Sequence, residues 1–348
     1  MKIFTPSPVV TVSVTGPDYN GLILHQRRPT MTEFIIAEDF PRNQVEFEKR
    51  FASEQACRDH LAKIRWPEGF RCRNCAHQQY WISARGLYIC TRCESSHSLA
   101  AGTVMHGTKK PLTFWFKAMW WFTTRKSGVN AINLKDLLGL GSYQTAWLWL
   151  HKLRRCTIRQ GREKLSGDVE VDEFVIGGQK PGKRGRGANG KTIVVAAVEK
   201  EEKKLGRIRL QVVPDCSGDT LEQMVMTNVM PSSIVITDGW KGYTFLDQGS
   251  YAHIEVLASK TADKQSVLPG IHLVASLVKR LIIGTFQGRF DPKHLQSYLD
   301  EYVFRFNRRR SLNIGKKFMR IAEQVTTSTQ MTYKQIKAGV APFSLPAN

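Results

Sequence analysis

Residues 168–178, DVEVDEFVIGG, form a β-branched run that carries Asp172 and ends at two glycines. A second run of the same kind, residues 233–239 with the sequence SIVITDG, ends at Asp238 beside a glycine. Short runs of this composition predict buried strands of a mixed or parallel sheet. An aspartate in such a strand is costly unless it is hydrogen-bonded, paired or holding a cation. The two runs therefore predict carboxylates that come together from separate strands to hold a metal ion.

The segments around these two runs predict the order of the remaining core. After the Asp172 strand, residues 193–199 and 207–213 are typical of two strands joined by a charged turn, residues 200–206. A helix is predicted over residues 220–228 and a strand over 233–237. Strand, strand, strand, helix, strand is the order of a ribonuclease H-like core. The predicted fold class is therefore α/β, with a ribonuclease H-like mixed sheet.

The composition is that of a basic globular protein. Of 348 residues, 42% are hydrophobic, and 51 basic against 30 acidic residues give a net charge of +21. A large basic excess favours nucleic acid as a partner. No apolar run reaches the ~18 residues of a membrane span, so no membrane partner is expected. The seven cysteines include two C-x-x-C pairs, which fits a reducing cytoplasm better than a disulfide scaffold.

The two C-x-x-C pairs predict a zinc ribbon. Cys72 and Cys75 form the first pair, and Cys90 and Cys93 form the second. Two such knuckles that converge supply four thiolates to one tetrahedral Zn²⁺. The residues between them, 79–82 and 87–89, are typical of a hairpin. His77 and His97 are spare donors, which we expect to stay outside a site already closed by four thiolates.

A helical region follows the ribbon. Six aromatic residues crowd residues 113–125, and core packing is the preferred interpretation. Residues 129–138, a Gly-Leu-Gly turn and residues 142–155 then give a helix-turn-helix pattern, with Ser142 as a natural N-cap. Either this pair binds DNA or it is an ordinary helical hairpin. The basic run that includes Arg154 and Arg155 favours DNA.

A glycine-rich cationic loop, residues 177–191, follows the Asp172 strand. It contains six glycines and five basic residues. Lysine and arginine neutralise phosphates, and glycine lets the backbone approach them, so phosphate contact competes here with a solvated linker. The loop formally matches G-x-x-x-x-G-K-T but leads into a strand, so a nucleotide-binding loop is excluded.

A third site residue is predicted near the start of the run 271–283. His272 opens it, and Lys279 lies seven residues further on. At ~100° per residue, seven steps place both side chains on one helix face. Pro269 and Gly270 just before them support a helix start. A metal ligand and a phosphate-binding lysine two turns apart form a coherent active-site layout.

Together these motifs resemble those of a known family, the ISXO2-like (IS1595 family) transposases of bacterial insertion sequences. The resemblance covers roughly residues 45–325 and rests on the following stretches: FRCRNC…CTRC, GSYQTAWLWLHKLR, VEVDEFVIGG with GRGANGKT, ITDGWKGY, HLVASLVKRLIIGTFQG and YLDEYVFRFNRR. It implies a zinc ribbon, a helix-turn-helix-like segment and a DDE-type catalytic core. Asp172 and Asp238 match the first two acidic catalytic positions, His272 stands where many relatives have glutamate or asparagine, and Lys279 matches the lysine seven residues later.

The resemblance implies a DNA transposase that binds terminal inverted repeats and catalyses metal-dependent strand cleavage and strand transfer. Asp172, Asp238 and His272 would hold Mg²⁺ or Mn²⁺, beside the structural Zn²⁺ of the ribbon. A neutral imidazole is a weaker ligand for hard cations than a carboxylate. Glu301 is therefore a reserve third ligand, and Glu170, which shares a strand face with Asp172, is a lesser one. An inactive copy is the remaining possibility.

The expected partners are double-stranded DNA, as element ends and as target, and further copies of the chain in the synaptic complex. The expected location is the bacterial cytoplasm, in association with the nucleoid. Arg308 and Arg309 either contact DNA or face solvent. The residues predicted to contact DNA are all basic: Arg154, Arg155, Lys183, Arg184, Arg186, Lys191, Lys279, Arg308 and Arg309.

Two other functions stay open on the sequence alone. One is a non-catalytic DNA-binding regulator derived from a transposase, and the other is a ribonuclease H-like nuclease without strand joining. The predicted segments are a loose extension (1–44), a helical segment (45–65), the zinc ribbon (66–105), a helix-turn-helix-like DNA-binding region (110–160), the ribonuclease H-like DDE core (165–325) and a tail (326–348).

Overall fold

Two short helices open the computed structural model, which describes residues 40–159, 161–177, 191–202, 204–257 and 267–339. They are α1 (Gln44–Arg50) and α2 (Glu54–Arg65). The side chains of Asn43 and Ser53 cap them, since each accepts a main-chain N–H, at 2.9 Å and 3.1 Å. The predicted helical segment is thus two helices. Most of the predicted N-terminal extension, residues 1–39, lies outside the described residues.

A small antiparallel sheet follows the two helices. Its strands are β1 (Tyr80–Ile82), β2 (Tyr88–Cys90) and β3 (Ser96–His97). Strand β1 pairs with β2, and β2 pairs with β3. The predicted hairpin of the ribbon is confirmed, and a two-residue third strand is added to it.

Three helices form the next layer: α3 (Leu112–Thr124), α4 (Ala131–Leu138) and α5 (Tyr143–Arg155). The turn between α4 and α5 needs glycine because Gly139 has a φ of +58°. Ser142 Oγ caps α5 by accepting the N–H of Gln144 at 3.1 Å. The predicted pair of helices across a glycine turn is therefore confirmed.

The aromatic residues of α3 form the centre of the first hydrophobic core. Trp115, Phe116 and Trp120 are at most 1% exposed. The ring of Trp120 stacks on Phe47 of α1, with 4.5 Å between the ring centroids. Core packing, as predicted for this aromatic helix, is confirmed.

A five-stranded sheet makes up the second half of the molecule. Its strands are β4 (Asp168–Ile176), β5 (Thr192–Glu201), β6 (Lys204–Val213), β7 (Ile234–Thr237) and β8 (Ala252–Glu255). They lie in the order β6-β5-β4-β7-β8. The first three are antiparallel, whereas β7 runs parallel to β4 and β8 parallel to β7. This mixed sheet has the predicted ribonuclease H-like topology.

Two details of the sheet differ from the prediction. Lys200 pairs with Leu205 and Glu201 with Lys204, so most of the predicted charged turn belongs to the strands. Strand β8 was not predicted at all. Its four residues are largely exposed, and an exposed edge strand lacks the apolar run that makes buried strands visible in a sequence.

Different elements cover the two faces of this sheet. Three further helices pack on it: α6 (Gly218–Asn228), α7 (Pro269–Phe286) and α8 (Leu295–Asn307). Phe174 and Ile176 of β4 face α7 and α8. Val169 and Val171 face α6 and the 3₁₀ helix Lys241–Gln248. Even-numbered side chains of β4 therefore point toward α7.

The last two helices are α9 (Gly315–Thr327) and α10 (Tyr333–Ala338). Phe318 of α9 joins the aromatic core, with its ring 5.4 Å from that of Phe47 and 5.8 Å from that of Trp120. The catalytic core was predicted to extend to residue 325. By its packing, however, α9 belongs with α2 and α3.

Helix α7 is the one helix in the described ranges that is long and apolar enough to cross a membrane, judged by length and composition alone. Its buried residues include Ile271, Val274 and Val278, which pack against the sheet. A core helix passes the same test, and these contacts account for the buried apolar residues of α7, whereas Leu273 and Ile283 are exposed.

Candidate active site and zinc centre

The four predicted cysteines form a closed cluster. In the described part of the chain they are the only group of three or more potential ligand side chains whose ligand atoms all lie within 4.8 Å of one another. The Sγ atoms of Cys72 and Cys93 are 3.5 Å apart, and those of Cys75 and Cys90 are 3.6 Å apart. Four sulfurs at about 2.3 Å from a tetrahedral Zn²⁺ lie nearly this far apart. The donor set therefore fits structural zinc.

The pKa values of Cys72 and Cys75 depart from that of free cysteine in opposite directions. A hydrogen bond from Ser95 Oγ lowers the pKa of Cys72 to about 5. The pKa of Cys75 is raised to about 12, although the His77 amide lowers it, because burial and the neighbouring thiols oppose a further negative charge. Four thiolates therefore require a cation between them. His97 Nε2 lies 3.4 Å from Cys72 Sγ and outside the four-sulfur cluster.

The two predicted aspartates lie on neighbouring parallel strands: Asp172 is in the middle of β4, and Asp238 directly follows β7. Asp168, Val169 and Glu170 of β4 pair with Ile234, Val235 and Ile236 of β7. The constant offset is 66 residues (234 − 168), and the last pair is Glu170 with Ile236. Continued two residues beyond that pair, the same offset relates Asp172 to Asp238 (172 + 66). Both carboxylates are half-buried. They stand at one level of the sheet, where β7 ends, and the carboxyl ends of parallel strands are the usual place for ligands in such sheets.

Main-chain amides hold both carboxylates. Asp172 Oδ1 accepts the N–H of Glu173 at 2.7 Å, and Asp238 Oδ1 accepts the N–H of Trp240 at 3.0 Å. The second bond closes a turn over Gly239, whose φ is +78° and whose added Cβ would lie 2.6 Å from Leu257 Cδ2. Glycine is therefore required next to Asp238, which explains the Asp-Gly pair.

Helix α7 runs along β4 beside Asp172. At its start, the N–H of Ile271 donates to Glu170 Oε2 at 3.0 Å. Two turns later, Lys279 Nζ lies 5.8 Å from the ring centroid of Phe174. Asp172 lies between Glu170 and Phe174 on the same face of β4. His272 directly follows Ile271, and both His272 and Lys279 are exposed on α7.

Asp172, Asp238 and His272 do not form a closed three-ligand cluster. Within the described residues, the 4.8 Å grouping contains the four cysteines alone. The structure therefore brings the two aspartates to one level by strand register and brings α7 alongside them, and it leaves the site open.

The two alternative third ligands, Glu301 and Glu170, are bound to other groups of the protein. Glu301 is 2% exposed; Arg154 Nε donates to its Oε2 at 2.7 Å, and Arg305 contacts its Oε1. Glu170 is 1% exposed and binds Ile271 and Lys200. Because both oxygens of each carboxylate are bound inside the protein, neither replaces His272 as a third ligand in this conformation.

One residue near the aspartates was missed by sequence reasoning. Tyr243, on the 3₁₀ helix, is fully buried, and its Oη makes no hydrogen bond within the described ranges. Burial, reinforced by the negative charges of Glu173, Asp172 and Asp238, raises the pKa of Tyr243 well above its ordinary value. A protonated phenol therefore lies close to three carboxylates. The only sequence signal was the tyrosine that ends GWKGY, and it resembles a core residue.

Arg154 does not lie on the surface. It is 2% exposed, bound to Glu301, and its guanidinium lies 4.6 Å from the ring centroid of Tyr298. Burial lowers its pKa to about 10. A guanidinium in this position cannot reach a phosphate, so the predicted DNA contact of Arg154 is corrected to a buried ion pair. Leu150 and Leu153 of the apolar stripe and the adjacent Arg154 all face inward.

The other basic residues predicted to contact DNA differ in their exposure and in their hydrogen-bond or ring partners. Arg309 is exposed, but its guanidinium donates to the carbonyls of Leu205 and Gly206. Arg308 lies over the ring of Phe304 at 4.2 Å and is half-buried. Lys191 is half-buried at the start of β5. Lys183, Arg184 and Arg186 lie outside the described residues.

A basic cavity lies where α5 and α9 end. Its volume is about 280 Å³, and it is lined by Arg155, Arg159 and the run Thr327-Ser328-Thr329, among others. Arg155 donates to Thr329 Oγ1 at 3.5 Å, and Arg159 is exposed. Two guanidiniums beside three hydroxyls suit a phosphate group.

Comparison with known proteins agrees with this geometry. A family model described as the ISXO2-like transposase domain matches residues 164–307, which contain both aspartates, His272 and Lys279. A second, described as a transposase zinc-ribbon domain, matches residues 52–96 with all four cysteines. The chain belongs to the ISXO2-like (IS1595) transposase family. The transposase is also similar to an uncharacterized transposase-like protein of Haemophilus influenzae, with 32% identity over 97 residues, which are 28% of this chain and 77% of that relative.

Proposed function

We propose that this transposase is a DDE-type enzyme of a bacterial insertion sequence, which binds the terminal inverted repeats and catalyses DNA strand cleavage and strand transfer. One observation carries the proposal. The β4–β7 pairing ends with Glu170 and Ile236, and its register, continued by two residues, supports Asp172 and Asp238 lying at one level, at the carboxyl end of β7. Two carboxylates at that position, inside a matched transposase domain, support phosphodiester chemistry.

The donor set fits a divalent cation. Asp172 and Asp238 offer oxygen ligands, which Mg²⁺ and Mn²⁺ prefer. When bound, such ions activate a hydroxyl nucleophile and stabilise the negative charge that develops at a phosphate. His272 offers a nitrogen, a donor that Mn²⁺ accepts more readily than Mg²⁺. We assign the third position to His272 because Glu301 and Glu170 are bound elsewhere.

The side chains around the aspartates would bind and orient the DNA strand. Lys279 is exposed on the His272 face of α7 and can neutralise a phosphate oxygen. The phenol of Tyr243 is fully buried with Val169 and Val171, so it would act on the nearby carboxylates through its dipole and not by contact with DNA. Water positioned by these groups would serve cleavage, and the released 3′-hydroxyl would serve joining.

Binding of double-stranded DNA would use the basic surface of the chain. The net charge of +21 favours a polyanion, and the cavity at Arg155 and Arg159 offers a phosphate site away from the aspartates. The predicted contacts of Lys191, Arg308 and the glycine-rich loop belong to the same proposal. The proposal also includes assembly of several chains into a homo-oligomer on paired element ends, and activity at the nucleoid.

A strand-transfer assay on DNA that carries the element's own inverted repeats tests the proposal. It compares wild type, Asp172→Ala and His272→Ala, with Mg²⁺ or Mn²⁺ present. Metal-dependent joining that is lost in both variants would support the full assignment. Cleavage without joining would favour a nuclease. Tight, salt-sensitive binding without either reaction would favour a DNA-binding regulator.

A further inference from the structure

Helix α7, which carries His272 and Lys279, begins without a capping side chain of its own. Its N-cap residue is Leu268, which makes no side-chain hydrogen bond, and Pro269 has no N–H. The first helical main-chain bond runs from His272 N to Leu268 O at 3.1 Å. The N–H of Ile271 therefore has no partner within the helix.

Glu170 of β4 supplies the missing acceptor. Its Oε2 accepts the Ile271 N–H at 3.0 Å, and its Oε1 lies 3.4 Å from Lys200 Nζ. A negative charge at a helix N-terminus is stabilised by the helix dipole. Glu170 thus caps α7 from a strand residue 101 positions earlier in the chain. This remote cap takes the place of the usual serine, aspartate or asparagine.

Gly270 sets how closely the helix approaches this carboxylate. A Cβ at position 270 would lie 2.7 Å from Glu170 Oε2 and 3.1 Å from Leu205 Cδ2. Its φ is not in the left-handed region, so the glycine is needed for space and not for backbone conformation. Any side chain there would push the start of α7 away from β4.

The cap lies next to the proposed catalytic groups on both chain segments. Glu170 precedes Asp172 by two residues on the same strand face, a separation of about 7 Å. Ile271 directly precedes His272. One hydrogen bond therefore joins the strand of the first aspartate to the helix of the third site residue.

We infer that Glu170 is a positioning residue, which fixes His272 and Lys279 at the level of Asp172 and does not itself touch DNA or metal. This inference rests on the proposed function. Loss of the carboxylate frees the first turn of α7 while the β4–β7 register keeps Asp172 and Asp238 together.

The test compares Glu170→Leu, which removes the acceptor, with Glu170→Gln, which keeps one oxygen acceptor. The matched control is Glu199→Leu. Glu199 is also a buried, ion-paired carboxylate of the same sheet, at 8% exposure, but it binds Arg207 and Ser166 and not α7. Amide exchange reports the cap. Fe²⁺ in place of Mg²⁺, with hydrogen peroxide as oxidant, reports the site, since bound Fe²⁺ reduces peroxide to hydroxyl radicals that cut the nearby backbone.

In Glu170→Leu we expect amide exchange at Ile271 to accelerate about tenfold, as loss of a hydrogen bond to a charged acceptor allows. Iron-dependent cuts near Asp172 and Asp238 should persist, and cuts near His272 should be lost. Glu170→Gln should restore the His272 cuts, and Glu199→Leu should keep all of them.

Two outcomes would overturn the inference. One is that Glu170→Leu retains the His272 cuts. The other is that Glu199→Leu loses them equally, which would indicate general destabilisation. Wild-type protein that shows no cuts near Asp172 or Asp238 would instead overturn the proposed metal site, and the positioning role with it. The two failures are therefore distinguishable.

Discussion

The zinc cluster and the carboxylate site are built in opposite ways. The four cysteines come from two knuckles of one small sheet, within residues 72–93, and their Sγ atoms already meet at 3.4 to 3.6 Å. Asp172 and Asp238 come from two strands of the larger sheet, His272 comes from a helix packed on that sheet, and the three do not close into one cluster in the described chain. The ligands of the zinc site are close in sequence and close the site completely. The proposed ligands of the carboxylate site come from segments far apart in sequence and leave the site open.

Because of this difference, the zinc cluster should contribute to the stability of the fold and the carboxylate site to the reaction. A tetrahedral site with four protein ligands leaves no position for a substrate, so its role is structural. An open site leaves ligand positions for water and for a phosphate oxygen. Removal of a ligand should therefore affect folding in the first site and reaction rate in the second.

The largest effect is expected for Asp172→Asn. Loss of the carboxylate should lower the strand-transfer rate at least about a thousandfold, because it removes several kcal/mol of charge stabilisation. Thermal unfolding should change little. The control is Asp168→Asn, an exposed acid on the same strand. Equal loss in both variants would contradict a special role for Asp172.

Cys90→Ser should have its largest effect on folding. Wild type should contain about one zinc per chain, whereas this variant should contain none. Its melting temperature should fall by several degrees, because metal binding contributes directly to the folding free energy. Cys57→Ser, which changes a buried cysteine outside the cluster, should keep its zinc. Metal analysis and calorimetry check both expectations, and zinc retained in Cys90→Ser would refute the four-thiol site.

His272 should have a smaller effect that depends on the metal. Because imidazole nitrogen suits Mn²⁺ better than Mg²⁺, wild type should be more active with Mn²⁺. His272→Glu should shift the Mn²⁺ to Mg²⁺ activity ratio about tenfold toward Mg²⁺, since carboxylate oxygen is the preferred ligand of hard cations. An unchanged ratio in rate measurements with each metal would remove His272 from the metal site.

Tyr243→Phe should lower the strand-transfer rate without lowering the stability of the fold. The buried Oη has no hydrogen-bond partner in the described ranges, so its removal should leave the free energy of unfolding unchanged or raise it by up to about 1 kcal/mol. The strand-transfer rate should still fall about tenfold, because the phenol dipole near the carboxylates is lost. Urea unfolding and single-turnover rates check this. A less stable but fully active variant would make Tyr243 a core residue only.

The smallest effect is expected at the basic cavity. Arg159→Ala should lower the slope of log affinity against log salt concentration by about one, as expected for one lost phosphate contact. Arg310→Ala is the matched control, because Arg310 is exposed but paired with Glu201 at 2.6 Å. Equal slopes for the two variants in DNA-binding titrations would exclude this cavity from the DNA surface.

The sequence predicted features that depend on spacing or on a local signal. The Cys-x-x-Cys pairs, the Ser142 cap and the β-branched strands all appear in the structure as expected. What it could not predict depends on contacts between distant segments. Nothing near Arg154 in the sequence shows that Glu301 will bury it, and nothing near Glu170 shows that it caps α7. Tyr243 was missed for the same reason.

The buried charges of Arg154, Glu301 and Arg305 also limit which segments of this transposase can be exchanged with those of its relatives. Arg154 lies in the last turn of α5, in the helix pair, whereas Glu301 and Arg305 belong to α8, which packs on the five-stranded sheet. Removal of one partner from a buried ion pair costs about 3–5 kcal/mol. A chimera that exchanges the helix pair between relatives must therefore inherit both ends of this network. The helix pair and the sheet with its packed helices therefore cannot be exchanged separately. Substitutions at Arg154, Glu301 and Arg305 should occur together in relatives.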